Sequence, residues 1–285
     1  MLGTEYTDQG RLVADHWSRL AVNYEGALRS LEERGIATDK VTVEDLHALD
    51  MLHMGGLAST DELASLAGIA RGHRILDVGS GVGGPARRLA SKFGATVCGL
   101  ELSKTLYETA VKFTELVGLT DDVQFVNGSA LSLPFEDSEF DVVVMAHVAM
   151  QITEKDQLFG ELARVLKPHG QLALHEIFGD EGLLHYPLPW AIDETMSEVE
   201  NVSDCSSRLS SLGFDVGAFV DHSEQAQQYH VGQIAAYNSA LAKGDGTQGL
   251  AKEAVEKRRV ASIAMEKNLG SDAMQVGMLV SQKRA

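Results

Sequence analysis

The stretch at residues 74–88, RILDVGSGVGGPARR, narrows the fold more than any other part of the chain. Ile75, Leu76 and Val78 flank a single carboxylate, Asp77, in a run that reads as a buried parallel strand. Gly79, Gly81, Gly83 and Gly84 follow, a turn suited to glycine because positive φ costs it no steric energy. Pro85 stands at a first helical position, where its missing N–H has no partner to lose. The helix PARRLASKF then runs to Gly94, which stops it. Strand, glycine turn and helix form the half-unit that grips a nucleotide-like cofactor, and they predict an α/β fold.

Gly79, Gly81 and Gly84 match GxGxxG, a spacing shared by sites for NAD, FAD and S-adenosyl-L-methionine (SAM). Asp77 discriminates among them. A dinucleotide would bring a doubly charged pyrophosphate against this carboxylate and be repelled. SAM has no phosphate and carries a sulfonium and an ammonium, so the carboxylate suits it. Glu101, about 20 residues on at the end of the apolar run ATVCGLEL, suits both ribose hydroxyls of either cofactor.

DVGSGVGG, LELS and VLKPHG, in that order, resemble the ordered motifs of class I SAM-dependent methyltransferases over roughly residues 42–222. LDMLHMGGLAST and HYPLPW resemble the small-molecule branch that includes sarcosine and dimethylglycine N-methyltransferases. The resemblance implies a Rossmann-like seven-stranded sheet within one catalytic domain. Residues 1–57 would be an N-terminal helical lid, 58–222 the SAM-binding core, and 223–285 helices inserted before an antiparallel last strand. It implies SAM as cofactor and S-adenosyl-L-homocysteine as product, with Asp77, Gly79, Ser80, Gly81, Gly84, Glu101, Leu102, Ser129, Ala130 and His147 around it. In the family an Asp after the third strand accepts a hydrogen bond from the adenine amino group. Ser129 holds that position here, and its hydroxyl accepts the same bond without charge assistance. Leu131 and Leu133 would sandwich the ring.

The composition excludes some partners. With 285 residues and 44% hydrophobic content the chain can bury a substantial core. Its formal net charge of −17 opposes nucleic-acid backbones and fits a cationic or zwitterionic small substrate. Cys98 and Cys205 lack metal or CxxC spacing, which predicts a reducing compartment, and the ten histidines show no HxxxH pattern, which predicts no metal. MLGTEYTDQG has no signal-peptide core, and no apolar run approaches the ~18 residues that span a bilayer. The expectation is a soluble, cytoplasmic protein without membrane partners; whether two copies form a homodimer is left open.

Leu12, Val13, Trp17, Leu20, Tyr24, Ala27, Leu28 and Leu31 recur at helical spacing, so residues 5–34 read as one long helix ending at Gly35. It is either a packed amphipathic helix or a lid with Tyr24 facing the substrate. His53 beside Gly55-Gly56 either bonds a loop carbonyl or meets the substrate, and Ser59 with Glu62 reads as a capping box for the next helix. FDVVVMAHVAMQI is a central strand and its exit, at the sheet edge where open α/β folds bind ligands. His147 there is a candidate base, or a cofactor contact, and Gln151 a substrate contact. Thr153 with Asp156 reads as the cap of the following helix, which ends at KPHG. His175 and Glu176 end the next strand on opposite faces, so at most one faces the pocket. Glu176 would pair with an ammonium substrate or belong to a rim ion pair. Tyr186 and Trp190 offer cation–π faces to an ammonium or plug the fold, and with no Arg obvious nearby, Arg208 or a residue from the lid would have to clamp a substrate carboxylate. Two polar-faced helices over 223–268, joined by KGDGTQG, precede the last strand MQVGMLVSQKR.

The expected function is SAM-dependent methyl transfer to a small amino-acid-like metabolite at nitrogen. O-, S- (thioether) or C-methylation is the alternative within the class. A non-catalytic SAM-binding protein is the alternative outside it. Asp77 and the lack of a TyrxxxLys pair oppose an NAD-dependent oxidoreductase.

Overall fold

The computed structural model describes residues 7–20, 23–243, 252–271 and 273–285. The chain opens with α1 (Asp8–Leu20), α2 (Tyr24–Glu33), α3 (Val43–Asp50) and α4 (Gly56–Leu66). Alternation follows: β1 (Arg74–Val78), α5 (Gly84–Phe93), β2 (Thr96–Glu101), α6 (Lys104–Leu116), β3 (Val123–Asn127), β4 (Phe140–Ala146), α7 (Lys155–Val165) and β5 (Leu166–Gly179). Then come α8 (Val202–Ser211), β6 (Phe214–Asp221), α9 (Ser223–Lys243), α10 (Lys252–Leu269) and β7 (Met274–Lys283). The strands make one seven-stranded sheet in the order β3-β2-β1-β4-β5-β7-β6, with β7 antiparallel to both neighbours. This is the α/β sheet that the sequence predicts, with its antiparallel last strand.

The central strands are apolar on both sides because helices cover both faces. Ile75, Val97, Val142, Val144 and Ala173 pack under α4 and α5. Leu76, Val78, Val143, Leu172 and Leu174 pack against Leu158 and Leu162 of α7 and Leu209 of α8. A third cluster joins Ile177, Met150, Leu188 and Trp190 to Met265 and Leu269 of α10. At about 25 cal/mol per Å² of apolar surface buried, these clusters are the main source of stability.

Four local expectations are corrected. Residues 5–34 are not one helix: α1 and α2 are separate, and the Asn23 side chain caps α2 by accepting from Gly26 N. Apolar spacing continues across the break, but the cap satisfies an amide that an unbroken helix would have bonded differently. The helix around Ser59 begins earlier, at Gly56, with Gly55 at its N-cap in a left-handed conformation. Ser59 instead donates from Oγ to the Met54 and Gly56 carbonyls. The helix after Thr153 starts at Lys155 without a side-chain cap. Thr153 is held by Gln9 of α1, and Asp156 by Arg208. KPHG falls inside β5 as a bulged detour rather than before it. The link KGDGTQG lies largely outside the described residues.

Candidate active site

The carboxyl ends of β1, β2, β4 and β5 share one edge of the sheet, and the connections there carry the polar residues singled out in the sequence. The glycine turn is tight. Gly79 N and Ser80 N both donate to the Leu100 carbonyl (2.8 and 3.0 Å). Gly79 has φ +69, and a Cβ there would lie 2.4 Å from Val148 Cγ2. A Cβ on Gly84 would lie 2.4 Å from the Asp50 carbonyl. Both positions therefore require glycine. Beneath the turn, Arg87 is fully buried and holds Val82 O (2.6 Å) and Asp50 Oδ2 (2.9 Å), which ties α3 to α5.

Glu101 ends β2 with its carboxylate fixed by two amides, Gly81 N on Oε2 (2.9 Å) and Ser103 N on Oε1 (2.7 Å). Burial pushes its carboxyl up to about 7, against those amides. Asp77 is buried at the mouth of the turn. Burial pushes it up to about 7, with Arg87 pulling the other way. Asp77 Oδ2 and Ser80 Oγ are buried without hydrogen-bond partners. A buried polar atom without a partner costs free energy that a polar ligand recovers. A carboxylate, an unpartnered hydroxyl and a glycine turn around one place fit the amino, sulfonium and ribose groups of SAM. Leu102 O and Ser129 are already engaged, accepting from Asn127 Nδ2 (2.9 Å) and from Leu131 N (3.2 Å onto Oγ), and Ala130 stands partly buried beside Ser129.

α1 lies across this edge. Ser18 Oγ meets Ser103 Oγ at 2.8 Å, Trp17 Nε1 donates to Gln151 Oε1 (2.5 Å), and His16 Nε2 sits 2.9 Å from the Pro189 carbonyl. Leu52, just after α3, comes within 3.2 Å of where a Gly81 Cβ would be. Trp17 and Ser18 were not singled out by sequence; an indole on the inner face of a helix was the available signal.

His147 leaves β4 with φ +57, an uncommon backbone for a non-glycine residue. Its N–H donates to the His175 carbonyl (2.9 Å), and its carbonyl accepts from Gln151 Nε2 (3.3 Å). The residue is half-buried, and its Nε2 is buried with no partner. Burial, with three neighbouring histidines, lowers its pKa well below 6.5, so the ring is neutral. His53 stands near it, 6.3 Å between centroids, with Nε2 by Thr60 Oγ1 (3.0 Å) and the Gly56 carbonyl (3.2 Å). Burial lowers His53 to about 4.

Other expected site residues lie apart. Glu176 does not face the cleft: Val148 N donates to both its oxygens (3.0 and 3.1 Å) and Ala149 N to Oε2 (3.2 Å), so it braces the His147 turn from below. Burial pushes Glu176 up to about 7. Lys155 braces the same turn, donating from Nζ to the Ala149, Ile152 and Glu198 carbonyls. Tyr24 turns away from the edge to pack on Phe113 of α6 (5.8 Å), because that side of α2 is the apolar one. Trp190 is buried in the third cluster, bonded to Ser197 Oγ (3.3 Å), and the Tyr186 hydroxyl is taken by Glu181. Arg208 is held by Asp156 and Glu200 and is not free to clamp a substrate. Among the described residues no group of His, Cys, Asp and Glu is arranged to hold a metal ion, and no helix is long and apolar enough to cross a membrane.

Residues 76–174 match the family profile described as Methyltransferase domain. Methyltransferase GfsG of Streptomyces halstedii is 32% identical over 202 residues, covering 68% of this chain and 72% of the relative. A sterol 24-C-methyltransferase of Pneumocystis carinii is 28% identical over 161 residues, 54% of this chain but only 43% of that enzyme. The chain thus matches less than half the length of the sterol enzyme. Among solved structures, a phosphoethanolamine N-methyltransferase of Haemonchus contortus bound to S-adenosylhomocysteine has a TM-score of 0.74 at 19% identity, over 90% of this chain and 60% of that one.

Proposed function

From the premise that this chain belongs to the SAM-dependent methyltransferases that act on small molecules, we propose that it methylates an uncharged, largely apolar acceptor at a hydroxyl, or at another weakly acidic atom, with His147 as the base. The observation that carries this reading is the His147 ring, neutral, buried and unpartnered at Nε2, at the ligand edge of the sheet. An amine or thioether needs no base once deprotonated or unprotonated; a hydroxyl does. The wall beside this edge is apolar, with Met150, Met54 and Trp17 in one cluster. An amino-acid acceptor would want a cation for its carboxylate, and Arg208 is occupied by two acids. The nitrogen reading drawn from the resemblance is therefore the second one.

SAM, when bound, supplies an electrophilic methyl carbon on a sulfonium, and no further activation of that carbon is needed. The chain has then to orient the acceptor, take its proton and exclude water. In our reading Asp77 and Ser80 meet the cationic amino-acid end, Glu101 the ribose, and Gly79, Gly81 and Gly84 give the backbone room for it. Glu176 and Lys155 hold the turn so that His147 keeps its aim. α1, through Trp17 and Ser18, closes the edge to water.

The test is methyl-labelled SAM offered with a panel of alcohols, phenols, sterols and amino acids. Label should enter hydroxyl-bearing, uncharged acceptors. His147→Gln should lower that transfer by ~10²–10⁴-fold while leaving SAM affinity unchanged. Label entering amino acids only, at a rate indifferent to His147→Gln, would overturn the reading.

A further inference from the structure

Four histidines far apart in sequence meet at one corner of the sheet edge. The His147 and His175 rings lie 4.8 Å apart, and His175 and His222 6.2 Å apart, between centroids. His53 flanks the first pair, 5.9 Å from His175. His222 Nε2 ends the row 3.3 Å from Glu62 Oε1. Strand register makes this meeting. His175 of β5 faces Met278 of β7, and Met278 faces Val220 of β6, two residues before His222. His175 shares its sheet face with Ala173, under α4, and α4 carries Glu62. The row therefore runs from a buried ring nitrogen to a surface carboxylate: the His222 side chain is 19% exposed and that of Glu62 46%.

We propose that this row is a proton exit, leading from His147 through His175 and His222 to Glu62 and solvent. The inference rests on the reading of His147 as base. Nε2 is buried and unpartnered under an edge that α1 crosses, and the row offers a proton taken there a way outward through the ring. An imidazole accepts on one nitrogen and gives from the other, so it can pass a proton on without keeping a charge. In the step, the acceptor O–H bond breaks and its proton goes to His147 Nε2. The oxygen pair forms the new bond to the methyl carbon, and the pair of the breaking carbon–sulfur bond goes to sulfur. His147 then gives up its other ring proton to His175, His175 gives one to His222, and His222 gives one to Glu62. One proton leaves per turnover, every ring ends neutral with its tautomer exchanged, and the rings turn back to free Nε2 of His147 before the next turnover. The rings stand edge to face, 4.8 and 6.2 Å apart between centroids, so each transfer needs a ring to turn or a water to bridge. Between His53 and His175 there is also a cavity of about 10 Å³, the space of one water, with Ser59 and Thr60 on its wall.

The surroundings keep the inner rings neutral. Burial lowers His175 to about 3 and His230 of α9, which faces His147, to about 4. Glu62 of α4 and Asp221 of β6 stand at the outer end beside His222, and Glu176 and Lys155, tied to the backbone of the turn, lie under the inner end. A proton is thus drawn outward, toward two carboxylates, and is not held midway.

The test uses the full chain, labelled with ¹⁵N at histidine and saturated with S-adenosylhomocysteine, in long-range ¹H–¹⁵N spectra that report ring tautomers. Replacing the outer members, Glu62→Gln or His222→Gln, should change the tautomer populations of His175 and His147. His147 signals that stay unchanged in His222→Gln, with the other spectra native, would overturn the proposal, and they would do so whether or not His147 is the base. Turnover adds a second readout once an acceptor is in hand. His222→Gln should lose about tenfold, well short of the ~10²–10⁴-fold expected for removing a base, and added imidazole should restore it. A loss that imidazole does not relieve would mean that His222 serves structure alone. Full turnover in His147→Gln would instead sink the base reading, and the tautomer coupling would still decide the row.

Discussion

At the scale of single residues, two buried carboxyls of similar acidity face different chemistry. Glu176 takes three hydrogen bonds from the Val148 and Ala149 amides and faces that turn instead of the cleft. Asp77 keeps one oxygen without a partner, beside a hydroxyl in the same condition. Burial holds Asp77 at about 7, so below that pH it is mostly protonated and above it mostly ionised. A sulfonium and an ammonium favour the ionised form. SAM binding should therefore release protons between about pH 6 and 7, and affinity should rise with pH by at most about tenfold per unit in that window before levelling off above it. Asp77→Asn should weaken binding and flatten the profile. Calorimetry in buffers of different ionisation heat measures both. Proton uptake on binding, or a profile unchanged by Asp77→Asn, would show that Asp77 does not face the cation.

At the scale of elements, the site is a contest between a rigid edge and a helix laid over it. The turn after β4 is braced from below by Glu176 and Lys155, whereas α1 is fastened by separate polar contacts to Ser103, Gln151, Thr153 and Pro189. Of these, Trp17 contributes both a hydrogen bond and a ring against the third cluster. Trp17→Ala should speed S-adenosylhomocysteine dissociation by about tenfold, the equivalent of ~1.4 kcal/mol, with little change in unfolding midpoint. Stopped-flow release gives the rate; an unchanged rate would mean that α1 packs without gating. Such contacts mark the boundary of what the sequence conveys. The strand, turn and helix at 74–93 were legible because each residue there obeys a local rule: apolar strand, glycine at positive φ, proline at the helix start. The place of Glu101 at the end of β2 was legible from spacing. The break at Asn23 was not, since apolar residues keep helical spacing through it. Tyr24 and Trp190 were aromatic in suggestive places, but their neighbours, Phe113 and Ser197, are chosen by tertiary packing. The histidine row was invisible to a search for HxxxH because its members come from β5 and from three separate connections. The question that finds it is which histidines end strands on the ligand edge.

At the scale of the whole molecule, the same burial that shapes the site sets how stability varies with pH, and two groups of residues pull in opposite directions. His53, His175 and His230, held at about 4, 3 and 4, are neutral when folded and charged below about 6.5 when unfolded. The folded state binds fewer protons there, so these residues make stability rise with pH from about 4 to 6.5. Asp77, Glu101 and Glu176, pushed up to about 7, do the reverse. The unfolded chain gives up their protons near pH 4 and the folded chain near 7, so they make stability fall across that interval. Between about 4.5 and 6.5 the two sets oppose each other. From about 6.5 to 7 the carboxyls act alone, each by at most ~1.4 kcal/mol per pH unit. The net charge of −17 adds self-repulsion in the same direction. The SAM-free protein should therefore be most stable near pH 5–6.5 and lose stability toward pH 8, and salt should return part of the loss by screening. Urea denaturation across pH, with and without salt, measures this. Glu176→Gln, which keeps the shape and never ionises, should flatten the alkaline fall. Stability that climbs from pH 6 to 8 would mean that these three carboxyls are ionised at little cost, and that the buried edge is wetter than its packing implies.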